Sequence, residues 1–160
     1  MDTMWLVIRW DIFIEITGIA VLLLTALAVA SILIVRSLRK TYKDVYRYQS
    51  KFDIELRKTA NLLSKVVSGD GFAKYLNAVI KEMPFEDKKI LLDLIDETFP
   101  GIDAQNPDNK YVVETYENLQ EIRRTLDSKV LSFNHSLSLF PFNIYAKILK
   151  MKKMHHYTHQ

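Results

Sequence analysis

The strongest pattern in the chain is an apolar run from Ile16 to Val35, which contains no charged residue. As a helix that rises about 1.5 Å per residue, this run would extend about 30 Å, the thickness of the hydrocarbon core of a bilayer. A helix that is apolar on every side needs lipid, or a larger protein core than a chain of 160 residues offers. The pattern therefore predicts a transmembrane helix over residues 16–35.

A cleaved signal sequence is the alternative interpretation of the same run. The letters ALAVAS contain a small-x-small pattern that would place a cleavage site after Ala30. Against cleavage, the apolar residues continue from Ser31 to Val35, and the preceding residues 1–15 carry three acidic residues and a single basic one, Arg9. The flanks favour an uncleaved anchor.

Basic residues follow the apolar run closely and predict its orientation. Residues 36–51 contain six basic side chains and one acid, Asp44; the basic ones are Arg36, Arg39, Lys40, Lys43, Arg47 and Lys51. Because positive flanks stay in the cytoplasm, we expect residues 1–15 outside the cell as a short extracytoplasmic N-terminus, and residues 36–160 inside. Arg36, Arg39 and Lys40 either set the orientation alone or also contact anionic membrane lipid.

Apolar residues recur at helical steps of three and four through the remainder of the chain. No Gly or Pro occurs over residues 36–67, so we expect the membrane helix to continue without a break until the sequence SGDG ends it. Shorter helices are predicted over 72–83 and 86–99, and the letters DAQNPDN predict a loop.

The longest periodic stretch covers residues 110–140. One row of apolar residues recurs every seven positions, and a second row is offset by four; together they are Val112, Leu119, Leu126, Phe133 and Phe140, then Tyr116, Arg123, Val130 and Leu137. Two such rows form a coiled-coil seam, in which Arg123 is out of place. Similar length predicts that this helix lies antiparallel to the one over 36–67 in an elongated bundle.

Pro141 interrupts the amphipathic pattern of the last third. Proline removes a backbone donor and disfavours a helical residue before it, so the long helix is expected to kink or end at Phe140. Asn143 is a suitable N-cap for a new helix. That helix would carry Ile144, Ile148 and Met151 on one face and cover the end of the bundle, unless the proline simply terminates the preceding helix.

Composition narrows the possible chemistry. The chain has no cysteine, which excludes disulfides and thiolate sites, and a net charge of +3, which does not indicate nucleic acid as a partner. No phosphate-binding loop or hydrolase motif is present. Two alternatives stay open at the end of the chain: His155 and His159 could chelate a metal if helical, and the lysines over 147–153 could bind a membrane surface. We expect no catalytic, cofactor or metal site.

Paired residues around the long helix resemble a known family. The order is an arginine, two apolar–polar pairs seven residues apart, and a Phe-Pro pair: Arg123, Leu126-Asp127, Phe133-Asn134 and Phe140-Pro141. This order is similar to the signature of the LemA family of bacterial membrane-anchored helical proteins, in which both pairs are Tyr-Asn. Leu126-Asp127 departs from that signature, and residues 68–101 do not resemble the family's middle helix. The chain therefore resembles a divergent member.

The resemblance implies an all-α protein with an N-terminal transmembrane helix that continues into an elongated bundle, and it implies no catalytic residues. We expect Asp127 and Asn134 to hydrogen-bond across the bundle and fix its register.

The leading functional hypothesis is a non-enzymatic, membrane-anchored scaffold or adaptor at the inner face of a bacterial membrane, with other membrane proteins or copies of itself as partners. The alternative is an accessory subunit of a larger membrane complex. No nucleic acid or small-molecule substrate is expected.

Overall fold

A computed structural model describes residues 2–67 and 70–158 of the chain. Every regular element within these residues is a helix, as the sequence predicts. The α-helices are α1 (Asp2–Val66), α2 (Ala73–Leu76), α3 (Phe85–Thr98), α4 (Lys110–Ser136) and α5 (Phe142–Ile148). Short 3-10 helices cover Asp70–Phe72, Ile80–Glu82, Phe99–Gly101 and Pro107–Asn109.

The chain divides into two units, Met1–Arg39 and Lys40–Gln160, which we call unit 1 and unit 2. Unit 1 is the first part of α1. Its most apolar window of 18 residues has a mean hydropathy of 2.8, and none of that window is buried. By length and composition, α1 is the one helix in the described residues that is able to cross a membrane.

Hydroxyl side chains in the apolar run bond to their own helix. Thr17, Thr25 and Ser31 donate to the carbonyl oxygens four residues before them, at 2.7, 2.8 and 2.7 Å. Each hydroxyl therefore has an acceptor without needing water, which makes these polar residues compatible with an apolar environment.

Unit 2 has a core built from the apolar stripes of three helices. The stripes follow the three- and four-residue spacing that places side chains on one helix face. Their most deeply buried members are Val45, Phe52, Leu56 and Leu63 of α1, Leu91, Leu92 and Ile95 of α3, and Leu119, Val130 and Phe133 of α4.

The heptad row of α4 is confirmed over its first four members and wrong at its fifth. Val112, Leu119, Leu126 and Phe133 are buried, whereas Phe140 is 79% exposed. The reason is that α4 ends at Ser136, four residues earlier than predicted, so Phe140 lies beyond the helix. The bonds from Leu137 N to Phe133 O (3.0 Å) and Ser138 N to His135 O (2.9 Å) form a final turn before the cis Phe140–Pro141 peptide.

Two other helix predictions are also wrong. The helix predicted over 72–83 is broken, because Val79 and Met83 adopt extended backbone on either side of a single 3-10 turn. Asn143 does not cap the last helix, which begins at Phe142 with no side-chain cap bond. That helix does not carry a buried Ile144–Ile148 face either: Ala146 is its buried residue, and Ile144 and Ile148 are 48% and 69% exposed.

Candidate functional site

The chain leaves α5 through a turn with a left-handed residue. Lys150 has φ 54°, its N–H donates to Lys147 O at 3.1 Å, and the N–H of Met151 donates to Ala146 O at 2.9 Å. These two bonds form a Schellman motif, which satisfies the last carbonyls of a helix and ends it. Residues 151–158 therefore continue without helical structure, and we call them the extended segment.

Asp127 of α4 binds the far end of the extended segment. Its carboxylate accepts hydrogen bonds from Tyr157 N at 2.7 Å, from Thr158 N at 2.9 Å and from the Thr158 hydroxyl. Asp127 is 4% exposed. A buried carboxylate is tolerated because it has these three donors, and it in turn satisfies two backbone N–H groups that belong to no helix.

Asn134 binds the middle of the extended segment, two helical turns away on α4. Its Nδ2 donates to Met154 O at 2.8 Å, and Met154 N donates to its Oδ1 at 2.9 Å. The side-chain amide thus pairs with both backbone groups of one residue, as a neighbouring β-strand would.

The seven-residue spacing of Asp127 and Asn134 matches the spacing of their partners. Seven residues of helix rise about 10.5 Å, and the three residue steps from Met154 to Tyr157 can cover at most about 10 Å. Since Asn134 holds Met154 while Asp127 holds Tyr157, the extended segment runs antiparallel to α4. The sequence predicted a role for this pair in register, but with a facing helix; the structure gives both of them the extended segment as partner.

Tyr157 anchors the extended segment in the core of unit 2. Its ring centroid lies 4.5 Å from that of Phe52 and 4.7 Å from that of Phe85, and the residue is 5% exposed. Its hydroxyl is buried without a hydrogen-bond partner among the described residues. Burial raises the pKa of Tyr157, and the charges of Asp53 and Asp127 raise it further.

A cleft of about 550 Å³ lies beside the extended segment. Tyr42, Val45, Tyr46 and Gln49 of α1 form one side. Leu126 and Val130 of α4, Phe85, and the stretch from Leu149 to His155 with Tyr157 complete it. Three of these lining residues are lysines, so the cleft has both apolar and positively charged side chains in its lining. Tyr42 O–H donates to Tyr46 Oη at 3.1 Å, which raises the pKa of Tyr42.

Arg123 has a partner that explains its place in an apolar row. Its Nη1 lies 2.7 Å from Asp96 Oδ2, and Asp96 Oδ1 accepts from Tyr116 Oη at 3.0 Å and from Gln120 Nε2 at 2.6 Å. Burial, followed by the negative charge of Asp96, raises the pKa of Tyr116 to about 12. This cluster joins α3 to α4.

A buried ion pair was missed by the sequence reasoning. Lys88 Nζ lies 2.7 Å from Asp53 Oδ1, with 4% and 10% of the two side chains exposed. A signal was available: Lys88 lies three, four and seven residues before the buried Leu91, Leu92 and Ile95, on the apolar face of α3. A charge on such a face requires an opposite charge nearby.

The motif residues do not form one site. Asp127 and Asn134 share the extended segment, and the ring of Phe133 lies 5.8 Å from that of Tyr42. Arg123 belongs to the Asp96 cluster, and Phe140 and Pro141 lie in the turn before α5. Arg36, Arg39 and Lys40 are exposed on α1.

The histidine alternative required a helix over His155 and His159, and His155 lies in the non-helical extended segment. In the described part of the chain, no group of three His, Cys, Asp or Glu residues could hold a metal ion. His159 lies outside the described residues. His155 instead packs against Phe85, with ring centroids 5.1 Å apart.

Comparisons with family models, with curated proteins and with solved structures found no match to this chain.

Proposed function

We propose that the chain is a non-enzymatic, membrane-anchored helical adaptor, with unit 1 in the membrane and unit 2 at the inner face of a bacterial cell membrane. The observation that carries the proposal is the exposed apolar part of α1, with mean hydropathy 2.8, on the same helix that supplies core residues to unit 2. The similarity of its motif residues to the LemA family adds to the proposal.

We infer that α1 and α4 lie antiparallel within unit 2. Two contacts support this arrangement: Tyr42, early in the α1 part of unit 2, is next to Phe133 near the end of α4, with ring centroids 5.8 Å apart. Lys58, later in α1, lies 5.0 Å from the ring of Tyr111 at the start of α4. Such packing gives the adaptor two long helices with exposed outer faces.

Membrane topology is the first test. Because the chain has no cysteine, single-cysteine variants can be labelled without background. Ser50→Cys should be protected from an impermeant maleimide in intact cells and labelled after the inner membrane is opened. Labelling in intact cells would contradict a cytoplasmic unit 2, and a mature chain that begins at Ser31 would contradict the anchor.

The adaptor role is tested by photo-crosslinking in cells. A photoreactive amino acid at Leu131, which is 50% exposed on α4, should capture a defined protein or a second copy of the chain. The matched control is the same amino acid at Leu126, which is 2% exposed and should capture nothing outside the chain. Identical crosslinks at both positions would contradict a docking face on α4.

A further inference from the structure

α5 and the turn before it expose a row of large apolar side chains. Phe140, Ile144 and Ile148 are spaced by four residues and are 79%, 48% and 69% exposed, while Ala146 on the same helix is 5% exposed and faces unit 2. Because they are four residues apart, Ile144 and Ile148 lie on one side of α5, whereas Phe140 lies in the turn before this helix. Large exposed apolar side chains concentrated in one short segment indicate a surface with a partner.

Four lysines lie close in sequence to these apolar residues. Lys147, Lys150, Lys152 and Lys153 are all exposed. No acidic residue occurs anywhere in the sequence after Asp127, so the whole region from α4's last turns to the extended segment carries charge of one sign. An apolar row bordered by lysines is the composition of helices that lie in the head-group layer of anionic membranes. We call the three apolar residues and the four lysines the basic corner.

The position of the basic corner in the chain limits its distance from the apolar run. Lys150, Lys152 and Lys153 line the same cleft as Tyr42. Tyr42 is seven positions after Val35, so the backbone between them extends at most about 25 Å in any conformation. A bilayer that holds the apolar run is therefore within reach of these three lysines.

We propose that the basic corner is a second membrane contact that binds anionic phospholipid head groups, in addition to the anchor. Phe140, Ile144 and Ile148 enter the head-group layer, and the lysine ammonium groups pair with lipid phosphates while their stems lie along the apolar surface. The inference rests on the proposed membrane anchor. Charge complementarity and the short tether favour a lipid surface over a protein as the occupant.

The test uses the full chain in nanodiscs, with one chain per disc. An environment-sensitive fluorophore is attached to Ile148→Cys and, as the matched control, to Ile54→Cys, an isoleucine that is 65% exposed on α1 of unit 2. Discs contain phosphatidylcholine alone or mixed with phosphatidylglycerol. We expect a blue shift and protection from an aqueous quencher at position 148 in anionic discs, loss of both in neutral discs or at high salt, and no change at position 54.

A second variant separates charge from folding. The variant combines four substitutions, Lys147→Gln, Lys150→Gln, Lys152→Gln and Lys153→Gln, and it should remove the blue shift at position 148. Its melting temperature, measured by circular dichroism, shows whether the variant is still folded. If this variant unfolds, the salt dependence of the unsubstituted lysines in the labelled chain decides instead.

Three results would overturn the inference. They are a water-exposed label at position 148 in anionic discs, an equal blue shift in neutral discs, and a blue shift that appears only when two chains share a disc, which would identify a second copy as the occupant. A chain that fails to enter neutral discs at all would instead overturn the anchor, so the two failures are distinguishable.

Discussion

At the scale of single residues, two side chains of α4 hold an extended piece of the same chain through its backbone. Asp127 is buried and accepts three hydrogen bonds, and Asn134 donates one and accepts one. Without them, the N–H groups of residues 154, 157 and 158 would lack these acceptors. The location of the extended segment therefore depends on these two side chains and on the buried ring of Tyr157, rather than on regular secondary structure.

Replacing Asp127 with Ala should release the far end of the extended segment. Hydrogen bonds to a charged group contribute about 1.5–3 kcal/mol, and the loss leaves a backbone N–H unsatisfied near a buried ring. We expect a loss of about 2–3 kcal/mol in the free energy of unfolding. Hydrogen exchange should become faster at residues 154–158. Ser128→Ala, at the exposed neighbouring position, is the control; equal exchange rates in both variants would contradict the assigned role.

Replacing Lys88 with Met should leave the Asp53 carboxylate buried without its partner. Removal of one member of a buried ion pair costs about 3–5 kcal/mol, whereas replacing both with apolar residues is often neutral. Lys88→Met should therefore be strongly destabilising, and Asp53→Leu combined with Lys88→Met should recover most of the loss. Thermal or chemical unfolding in detergent measures both. A double variant no more stable than Lys88→Met would contradict the pairing.

The same pair gives a dependence on pH. Burial raises the pKa of Asp53, and the hydrogen bond and charge of Lys88, with the charge of Lys81, oppose that rise. A carboxyl whose pKa is higher in the folded chain favours folding below its unfolded pKa, and this contribution is lost as the pH rises through the folded pKa. The deficit of Lys88→Met should therefore be largest near neutral pH and shrink as the pH falls through the pKa of Asp53.

At the scale of elements, the sequence predicts a helix correctly where the periodic spacing of apolar residues continues over many positions. The prediction fails where contacts with residues distant in sequence determine the backbone conformation. α3 and most of α4 follow from three- and four-residue spacing. The end of α4 at Ser136 does not follow from the sequence. Pro141 disfavours helical backbone only at the residue before it, Phe140, whereas the helix ends four residues before Phe140. The helical spacing of apolar residues reaches Met151 in the sequence, but the helix ends at Ile148, because a Schellman motif at Lys150 and the bonds from the extended segment to α4 override local preference.

The candidate site was predictable only in part, because one half of it has regular spacing in the sequence and the other half does not. The seven-residue spacing of Asp127 and Asn134 identified a pair on one face of α4. Their partner was not identifiable, because it is a backbone without any sequence signature. Arg123 shows the converse: the sequence identified it as out of place in an apolar row, and only the structure shows that Asp96 of α3 is its partner.

The packing of α3 against α4 should depend on the ion pair between Arg123 and Asp96. Its side chain and that of Asp96 are 22% and 31% exposed, so the ion pair is partly shielded from water. Arg123→Ala should lower the free energy of unfolding by about 1–2 kcal/mol, since it removes a charge-assisted hydrogen bond. Arg124→Ala is the control, because the adjacent arginine is exposed and changes stability by less than about 0.5 kcal/mol. Equal effects in a urea titration would contradict the assigned contact.

At the scale of the whole molecule, a folded helical unit and an exposed apolar helix share one chain. The proposed orientation depends on the basic residues that follow the apolar run, since positive charge within about 15–20 residues of a membrane helix sets its direction. The orientation is therefore proposed to depend on basic residues next to the anchor. The lysines of the basic corner lie more than a hundred positions later in the sequence and are proposed to bind lipid instead.

Substituting Arg36, Arg39 and Lys40 together with Gln should produce a mixed population of orientations, because half of the six flanking cations are removed. Labelling of Ser50→Cys by an impermeant maleimide in intact cells measures the inverted fraction. The control substitutes Lys147, Lys152 and Lys153 with Gln, which removes the same charge more than a hundred positions later in the sequence and should leave the orientation unchanged. The same inverted fraction in both variants would contradict the role of the flank.

Asn134 and Asp127 bind main-chain groups of the extended segment, so most side chains of that segment can be replaced without loss of these hydrogen bonds. His156, which contributes no bond to either side chain, should accept many replacements, whereas Tyr157 should accept few because its ring packs against both Phe52 and Phe85. In a saturation library scored for abundance in cells, tolerance should fall sharply between codons 156 and 157.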